Sequence, residues 1–238
     1  MVLQFPSLKT LLMTFLFVIG HGPPPVRTAS FEAVQAAART AVIAGPSIEA
    51  LRRKDIEELG YWVNVIMTIE NWSRFPLNSR NNRVHSGSFF YGTGEINPGK
   101  REVLAFLNGD LVGSYGTVSF LVSGANRRFV IMWSAPYLIA NGGYRNWMAL
   151  GMTSVGRTST DDEYGYFDEM YENWGTWYLK FDRKEFYWKE DPVNFSNDQF
   201  VLWGKMAPTR KAHITIVFRP LSNDDLAPQI KEELQKAS

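Results

Sequence analysis

The sequence of 238 residues contains no cysteine. This absence excludes disulfide staples, thiolate metal sites and cysteine nucleophiles. A domain of about 200 residues buries enough apolar surface to fold without disulfides, even outside the cell. Histidine is scarce, with three in the chain, and neither His85 nor His213 lies in a nucleophile or metal-ligand motif. We therefore expect no enzyme, no metal site and no cofactor.

An excess of charge of either sign is also lacking. The chain has 25 basic and 24 acidic residues, a net charge of +1. A nearly neutral protein cannot rely on bulk electrostatic attraction, so we expect no nucleic-acid partner. The acidic run at 161–163 is typical of a solvated helix N-terminus rather than a catalytic carboxylate pair.

Long hydrophobic runs are missing as well. The apolar run at 11–19 is shorter than the roughly 20 residues of a membrane span. Its position near the N-terminus, followed by HGPPP at 21–25, fits the apolar region of a secretory signal. We predict that residues 1–29 are a signal peptide with a possible short propeptide, and that the protein is secreted. Cleavage after Gly20 and further trimming after Arg27 remain open.

Residues 30–44 have the pattern of an amphipathic helix. The apolar positions at helical spacing are Phe31, Val34, Ala38, Ala41 and Val42, and the polar stripe is Glu32, Gln35 and Arg39. Fifteen helical residues span about 22 Å, short of the roughly 30 Å of a bilayer core. Gly45-Pro46 interrupts the pattern, Ser47 is a candidate cap for a continuation, and Gly60 is a candidate stop. An ordinary docked surface helix is the alternative interpretation.

After Gly60 the pattern changes to short strands separated by Gly, Asn and Pro clusters. The predicted strands are 61–68, 88–91, 102–106, 116–123, 129–134, 147–152, 177–181, 186–188, 199–205 and 212–218. A short helix is expected within 161–171 and another after Pro228. This pattern predicts a mainly β protein, a β-sandwich flanked by short helices. The domain is predicted to span 30–220, followed by a polar C-terminal extension at 221–238.

Aromatic residues are concentrated between residues 134 and 177. The segment 137–144, YLIANGGY, is turn-rich and should be an exposed loop. Exposed tyrosine and tryptophan rings settle at membrane–water interfaces. Such rings also attract quaternary ammonium groups, at roughly 0.5–2 kcal/mol each. The segment therefore indicates a membrane-binding surface, and phosphocholine headgroups carry a cation of this kind.

Four segments resemble a known family in order and, apart from about two extra residues in the loop at 137–144, in spacing. They are GSYGTVSFL at 113–121, SAPY at 134–137, YRNW at 144–147 and FDEMYEN at 167–173. With them, the sequence resembles the actinoporins, the pore-forming cytolysins of sea anemones, and more closely their mollusc relatives, the echotoxins and conoporins.

The resemblance implies a β-sandwich flanked by two helices that binds membrane lipid, sphingomyelin above all, through a phosphocholine pocket. It implies a soluble monomer whose N-terminal helix detaches at the target-cell membrane, inserts, and assembles with other copies into a cation-conducting pore. The lipid-binding residues carried over by position are Tyr115, Ser134, Pro136, Tyr137, Tyr144, Trp147, Phe167, Tyr171 and Glu172.

Three of these positions depart from the family pattern. Tyr115 stands where the family has a smaller aliphatic residue, and Phe167 and Glu172 stand where it has tyrosines. Phe167 lacks a hydroxyl that could reach a phosphate, and Glu172 would attract choline but repel phosphate. A secreted, non-lytic lectin of the same sandwich fold is the alternative function, because aromatic loops also stack on sugars. A detachable N-terminal helix distinguishes the toxin from the lectin.

Overall fold

The computed structural model describes residues 29–52, 60–138, 145–160, 165–187 and 191–237. The predicted signal peptide, apart from Ala29, and the predicted site residue Tyr144 lie outside these ranges.

Twelve strands form two sheets in the described residues. The first sheet has the order β1-β5-β2-β12-β11-β10, with β4 paired to β5. Its strands are β1 (Ile43–Ala44), β2 (Val63–Asn71), β4 (Ser88–Gly92), β5 (Lys100–Asn108), β10 (Val193–Ser196), β11 (Phe200–Met206) and β12 (Lys211–Pro220). The second sheet has the order β3-β6-β7-β8-β9. Its strands are β3 (Leu77–Ser86), β6 (Gly113–Val122), β7 (Arg127–Pro136), β8 (Asn146–Thr153) and β9 (Leu179–Phe186).

The helices lie outside the two sheets. They are α1 (Phe31–Ala41), α2 (Pro46–Arg52), α3 (Tyr166–Tyr171) and α4 (Pro228–Lys236), with a 3₁₀ turn at Asn223–Asp225. None of the helices in the described ranges has the length and apolar character of a membrane span.

The inner faces of the two sheets form one core. Alternate residues of each strand point inward, as in Val63, Val65, Met67 and Ile69 of β2, all with no exposed surface. Aromatic rings join the two sheets, because Phe129 of β7 lies 5.2 Å from Phe218 of β12. The prediction of a mainly β sandwich with flanking helices is confirmed.

Several predicted boundaries differ from the observed ones. Strand β3 was not predicted, because its sequence LNSRNNRVHS is mostly polar and its pairing with β6 is interrupted by two irregularities. Strand β10 was not predicted because its four residues are too few for a periodic signal. The two strands predicted at 177–181 and 186–188 are one continuous strand, β9, as far as Phe186.

Helix α1 is shorter than the predicted range of 30–44. Ser30 caps it, with its hydroxyl oxygen accepting from the Ala33 N–H at 3.3 Å. The helix ends at Ala41 because Val42 is extended and Ile43 and Ala44 pair in parallel with the start of β5. Eleven helical residues span about 16 Å.

The prediction that Ser47 caps the second helix is wrong. Ser47 lies inside α2, and its N–H donates to the buried Glu102 carboxylate of β5 at 3.0 Å. Its hydroxyl also donates to Glu102 and accepts from the Val103 N–H. A carboxylate from the sheet therefore stabilises the start of α2.

The C-terminal tail packs against α1. Residues of α1, of α4, of the positions beside these helices and of the end of β2 form one buried apolar cluster: Val34, Ala37, Ala38, Val42, Trp72, Leu226, Ala227 and Ile230. The tail is polar on its outer side, but its inner side holds α1 against the sandwich.

Replacing Ile230, which is fully buried in this cluster, should destabilise the protein measurably. We expect Ile230→Ala to lower the free energy of unfolding by about 2–5 kcal/mol, because it leaves a cavity between α4 and α1. In a thermal unfolding experiment the midpoint should fall by roughly 5–15 °C. Gln235→Ala, at an exposed position of the same helix, is the control and should leave the midpoint nearly unchanged. Equal midpoints for both variants would contradict the packing of α4 on α1.

Candidate functional site

Three predicted site residues lie side by side on the outer face of the second sheet. Tyr115 of β6 is opposite Ser134 of β7, and Ser134 is opposite Trp147 of β8. All three are half-buried. Directly opposite residues share one face of a sheet, so the three side chains form a cross-strand row.

Helix α3 adds two more predicted residues to this surface. Tyr166 and Met170 are buried against β7 and β8. Phe167 and Tyr171, four residues apart, share another side of the helix, and their rings stack with centroids 5.3 Å apart. Phe167 lies 5.4 Å from Tyr115, and Tyr171 lies 6.4 Å from Trp147. We call the continuous series Tyr115, Phe167, Tyr171 and Trp147 the aromatic row.

Two residues missed by the sequence analysis lie at the aromatic row. The His85 ring lies 4.9 Å from Phe167 and stacks on Tyr115 at 6.3 Å. The Arg183 guanidinium lies 4.5 Å from the Trp147 ring and donates to the Tyr171 carbonyl. His85 belongs to the unpredicted strand β3. Arg183 is in β9, where alternation places it on the same face as Trp147.

A group of exposed apolar side chains lies at the same end of the sandwich. We call it the apolar tip, and it consists of Tyr61, Trp62, Leu111, Val112 and Leu138. Their exposed fractions range from 40% to 69%. They come from three adjacent connections, before β2, before β6 and after β7. Exposed apolar groups of this kind mark interaction surfaces.

Tyr137 lies beside the apolar tip rather than in the aromatic row. Its ring meets the Trp62 ring edge-on at 5.4 Å, and the Arg210 guanidinium lies 5.2 Å above it. Its N–H donates to the Val112 carbonyl at 3.4 Å. This bond connects the two loops that follow β7 and precede β6.

The remaining predicted lipid-binding residues have different positions. Pro136 ends β7 opposite Gly113, whose backbone has φ +112° and approaches so closely that a Cβ would lie 2.4 Å from the Ala135 oxygen. Glu172 is exposed at the C-terminal cap of α3, and among the described residues no hydrogen bond or ion pair joins its carboxylate to the aromatic row. Tyr144 lies outside the described residues.

The predicted pore-helix residues are divided among three sides of α1. Val34 and Ala38 are buried, and Ala41 is half-buried beside them in the cluster with α4. Val42 follows the helix as its cap. Phe31, Gln35 and Arg39, spaced by four residues, form the wall of a cleft above the first sheet. Glu32 is exposed in the first turn, and hydrogen bonds from its own backbone N–H and from Ser30 lower the pKa of its carboxyl.

The chemistry available at the aromatic row is binding rather than catalysis. Four rings with neighbouring centroids 5.3–6.4 Å apart form one aromatic surface, in which Phe167 is buried and the half-buried Tyr115, Tyr171 and Trp147 are accessible to a cation. Arg183 and His85 supply donors for an anion on either side. Within the described residues, no group of three or more His, Asp or Glu side chains is placed to hold a metal ion.

Comparison with known proteins finds several gastropod relatives. A conoporin from Conus consors is 36% identical, over 99% of this chain and 96% of the conoporin. A tereporin from Terebra anilis is 36% identical, over 75% of this chain and 96% of the tereporin. An echotoxin from Monoplex parthenopeus is 31% identical, over 74% of this chain and 64% of the echotoxin. No family model matches the chain.

The fold is also found among solved structures. The crystal structure of the lipid-binding protein Nakanori superposes with a TM-score of 0.56 at 16% identity, over 86% of this chain and 95% of that one. At this level of identity the similarity shows the fold and nothing finer.

Proposed function

The chain belongs to the family of conoporins, tereporins and echotoxins, the mollusc actinoporin-like pore-forming toxins, and on this premise we propose that it is a secreted cytolysin. In this proposal it binds lipid with a phosphocholine headgroup, and sphingomyelin is its main receptor. We propose further that its N-terminal segment inserts and assembles with other copies into a cation-conducting pore. Members of this family are toxins rather than enzymes, so the prediction of a non-enzymatic protein is confirmed.

The observation that carries the lipid-binding proposal is the position of the aromatic row beside the apolar tip. Tyr115 and Trp147 lie near the starts of β6 and β8, at the end of the sandwich where Trp62 and Leu138 are exposed. A protein that dips this end into the interface buries the tip in the acyl region. The aromatic row then lies at the depth of the headgroups.

The side chains around the aromatic row suit both halves of a phosphocholine zwitterion. The face of Tyr171 that is not stacked on Phe167 and the face of Trp147 that Arg183 does not cover favour the quaternary ammonium. The Arg183 guanidinium, 4.5 Å from the Trp147 ring, offers a positive charge to the phosphate. Arg183 thus offers the phosphate contact that Phe167, without a hydroxyl, does not.

The fold also supports a long inserting segment rather than a short one. Strand β1 pairs with the start of β5, and Arg101 there is opposite Glu70, near the far end of β2. At about 3.3 Å per residue, β1 lies roughly 23 Å from the apolar tip, where β2 begins. Gly60, by contrast, is directly before the tip residues Tyr61 and Trp62.

Insertion therefore requires α1, β1 and α2 to leave the sheet together, with Gly60 as the attachment point. Its backbone has φ +72°, and a side chain would meet nothing within 4 Å there. Residues 30–59 as one helix would be about 45 Å long, enough for a bilayer core of about 30 Å. Pro46 would leave one backbone carbonyl without its helical partner and bend that helix.

Dye release from vesicles tests the proposal. We expect release at submicromolar protein from phosphatidylcholine vesicles with sphingomyelin, and weaker release from vesicles in which only the sphingomyelin is replaced. Equal release from both would overturn sphingomyelin as the main receptor but keep the pore. No release from vesicles of any headgroup composition, combined with binding to immobilised glycans, would favour the lectin.

The charge of Arg39 should affect the open pore rather than membrane binding. We expect Arg39→Glu to raise the preference for cations in planar-bilayer recordings, because the polar stripe of α1 would face the water of the pore. Its binding to vesicles should equal that of the unmodified protein. Lys180→Glu, the same charge change on β9, is the control. A shift of the same size in both variants would place Arg39 outside the conducting path.

A further inference from the structure

A cleft separates α1 from the outer face of the first sheet. Its floor is a cross-strand series in which Asn194, Trp203, Val217 and Glu70 are successive direct neighbours on four strands. Its wall is the side of α1 that carries Phe31, Gln35 and Arg39, and Trp72 and Arg219 also line it. The volume is about 530 Å³, within the range of roughly 300–1,000 Å³ found for small-molecule sites.

The cleft combines apolar lining residues with an uncompensated positive charge. Trp72, Val201, Trp203 and Val217 give the lining two indole groups and two branched aliphatic groups. The one carboxylate in the lining, Glu70, already accepts from the Trp72 indole at 2.8 Å and pairs with Arg101 at 3.5 Å. The guanidinium groups of Arg219 and Arg39 therefore determine the charge of the lining.

Arg219 has the features expected of an anion-binding residue. Its Nε and Nη1 atoms are buried and have no hydrogen-bond partner in the described part of the chain. Its guanidinium lies 5.0 Å from the Phe31 ring of α1. Burial lowers the pKa of Arg219 because desolvation disfavours the charged form. An anion within hydrogen-bond distance would satisfy these donors.

We propose that this cleft binds a single-chain amphiphilic anion, with its carboxylate or phosphate on Arg219 and Arg39 and its alkyl chain along Trp72 and Trp203. The size supports one chain, because about 530 Å³ is the volume of a site for one small molecule, which a single-chain amphiphile fills and a two-chain lipid exceeds. Asn194, exposed on β10, lies at the far side of the cleft from α1.

Such a ligand would hold the N-terminal segment in its docked position. It would contact α1 through Phe31 and Arg39 and the sheet through Trp203 and Arg219, so it binds the docked form and not the detached one. By mass action it raises the free energy of detachment. This consequence rests on the proposed function, whereas the binding itself does not.

Calorimetric titration with decanoate, below its micelle concentration, tests the binding. Decanol and decyltrimethylammonium have the same chain without the negative charge, and dihexanoyl phosphatidic acid has the charge with two chains. We expect saturable binding of decanoate and a rise of roughly 2–8 °C in the unfolding midpoint at saturation. The three comparison compounds should bind at least 10-fold more weakly. Equal binding of decanol would overturn the role of the cations, and equal binding of the two-chain lipid would overturn the single-chain assignment.

Two substitutions place the site. Arg219→Gln should weaken decanoate binding at least 10-fold, and Trp203→Ala should weaken it as well. Lys180→Gln removes one positive charge from the other sheet and should change nothing. If Arg219→Gln binds decanoate like the unmodified protein, the ligand does not occupy the cleft and the proposal fails.

The effect on pore formation is measured separately. Pre-incubation with decanoate should slow dye release by the unmodified protein but not by Arg219→Gln, which controls for any effect of decanoate on the vesicles. Equal slowing of both would contradict the docking role. Absence of release without decanoate would instead count against the proposed function, and it leaves the binding result unaffected.

Discussion

Dye release should cease when α1 and α2 are tied to the sheet through the strand between them, and it should return on reduction. The tie is the double variant Ile43→Cys/Lys100→Cys. The two positions are direct partners in the parallel pairing of β1 with β5. Neighbouring strands lie about 4.8 Å apart, within the Cα separation of about 4.4–6.8 Å that a disulfide requires. Because the chain has no cysteine, no other disulfide can form.

The expected result follows from the position of the tie, roughly 23 Å from the apolar tip by strand length. With residue 43 bonded to β5, residues 30–59 cannot detach as one helix that remains attached to the sandwich at Gly60. Residues 31–42 would remain free, but a helix of that length is about 18 Å long and cannot cross the bilayer core. Dye release by the oxidised variant should therefore equal that of vesicles without protein.

The control is a disulfide within the body of the sandwich, Lys205→Cys/Thr215→Cys, which joins direct partners of β11 and β12. This variant should release dye in both redox states. If the oxidised 43–100 variant also releases dye like its reduced form, residues 31–42 act without the rest of the segment and the Gly60 attachment point is wrong. Binding to vesicles, measured by flotation, should be unchanged by the tie.

Loss of membrane binding is the second large effect, and it should follow from substitution of the aromatic row. We expect Trp147→Ala and Tyr171→Ala each to lower the vesicle partition coefficient about 10- to 100-fold, since each removes about 1.5–3 kcal/mol of buried aromatic contact. The reduction should be larger on sphingomyelin vesicles than on vesicles without choline headgroups, because the cation–π contact is lost as well.

Trp177→Ala is the matched control for these two variants. Trp177 is the most exposed large apolar residue of the described chain, at 79%. It lies beyond the other end of β8, where its carbonyl accepts from the Ser154 hydroxyl. Its loss should not change partition. Circular dichroism and the unfolding midpoint separate loss of binding from loss of the fold. Equal losses for Trp177→Ala and Trp147→Ala would mean that no particular end of the sandwich meets the membrane.

The strands most accessible to prediction were those with a buried face. Strands β2, β5, β7 and β12 alternate or run apolar along their length, so periodicity located them to within a few residues. Strand β3 could not be predicted because its sequence is mostly polar. Its polar side chains are satisfied by tertiary contacts instead, such as the hydrogen bond from the Arg80 guanidinium to the Thr93 carbonyl. With β3 unpredicted, His85 could not be assigned to the aromatic row.

The end of α1 shows a tertiary interaction that outweighs a local pattern. Val42 and Ala44 fit the amphipathic helix well, yet the chain leaves the helix at Ala41. The Ile43 N–H donates to the Gly99 carbonyl and the Gly45 N–H to the Arg101 carbonyl. A free sheet edge offered hydrogen bonds that competed with those of the last helical turn. The sequence of residues 30–44 contains no signal that predicts this edge.

The residues by themselves determined the absence of thiol chemistry, the β-rich core and the concentration of aromatic rings between 134 and 177. Each of these depends on composition or on periodicity over a few neighbouring residues. The tertiary structure decided which rings meet, that Arg183 lies over Trp147, that Tyr137 packs beside the apolar tip, and that α4 covers α1. These contacts join residues far apart in the chain, and their geometry depends on strand register and helix packing, which no local pattern encodes.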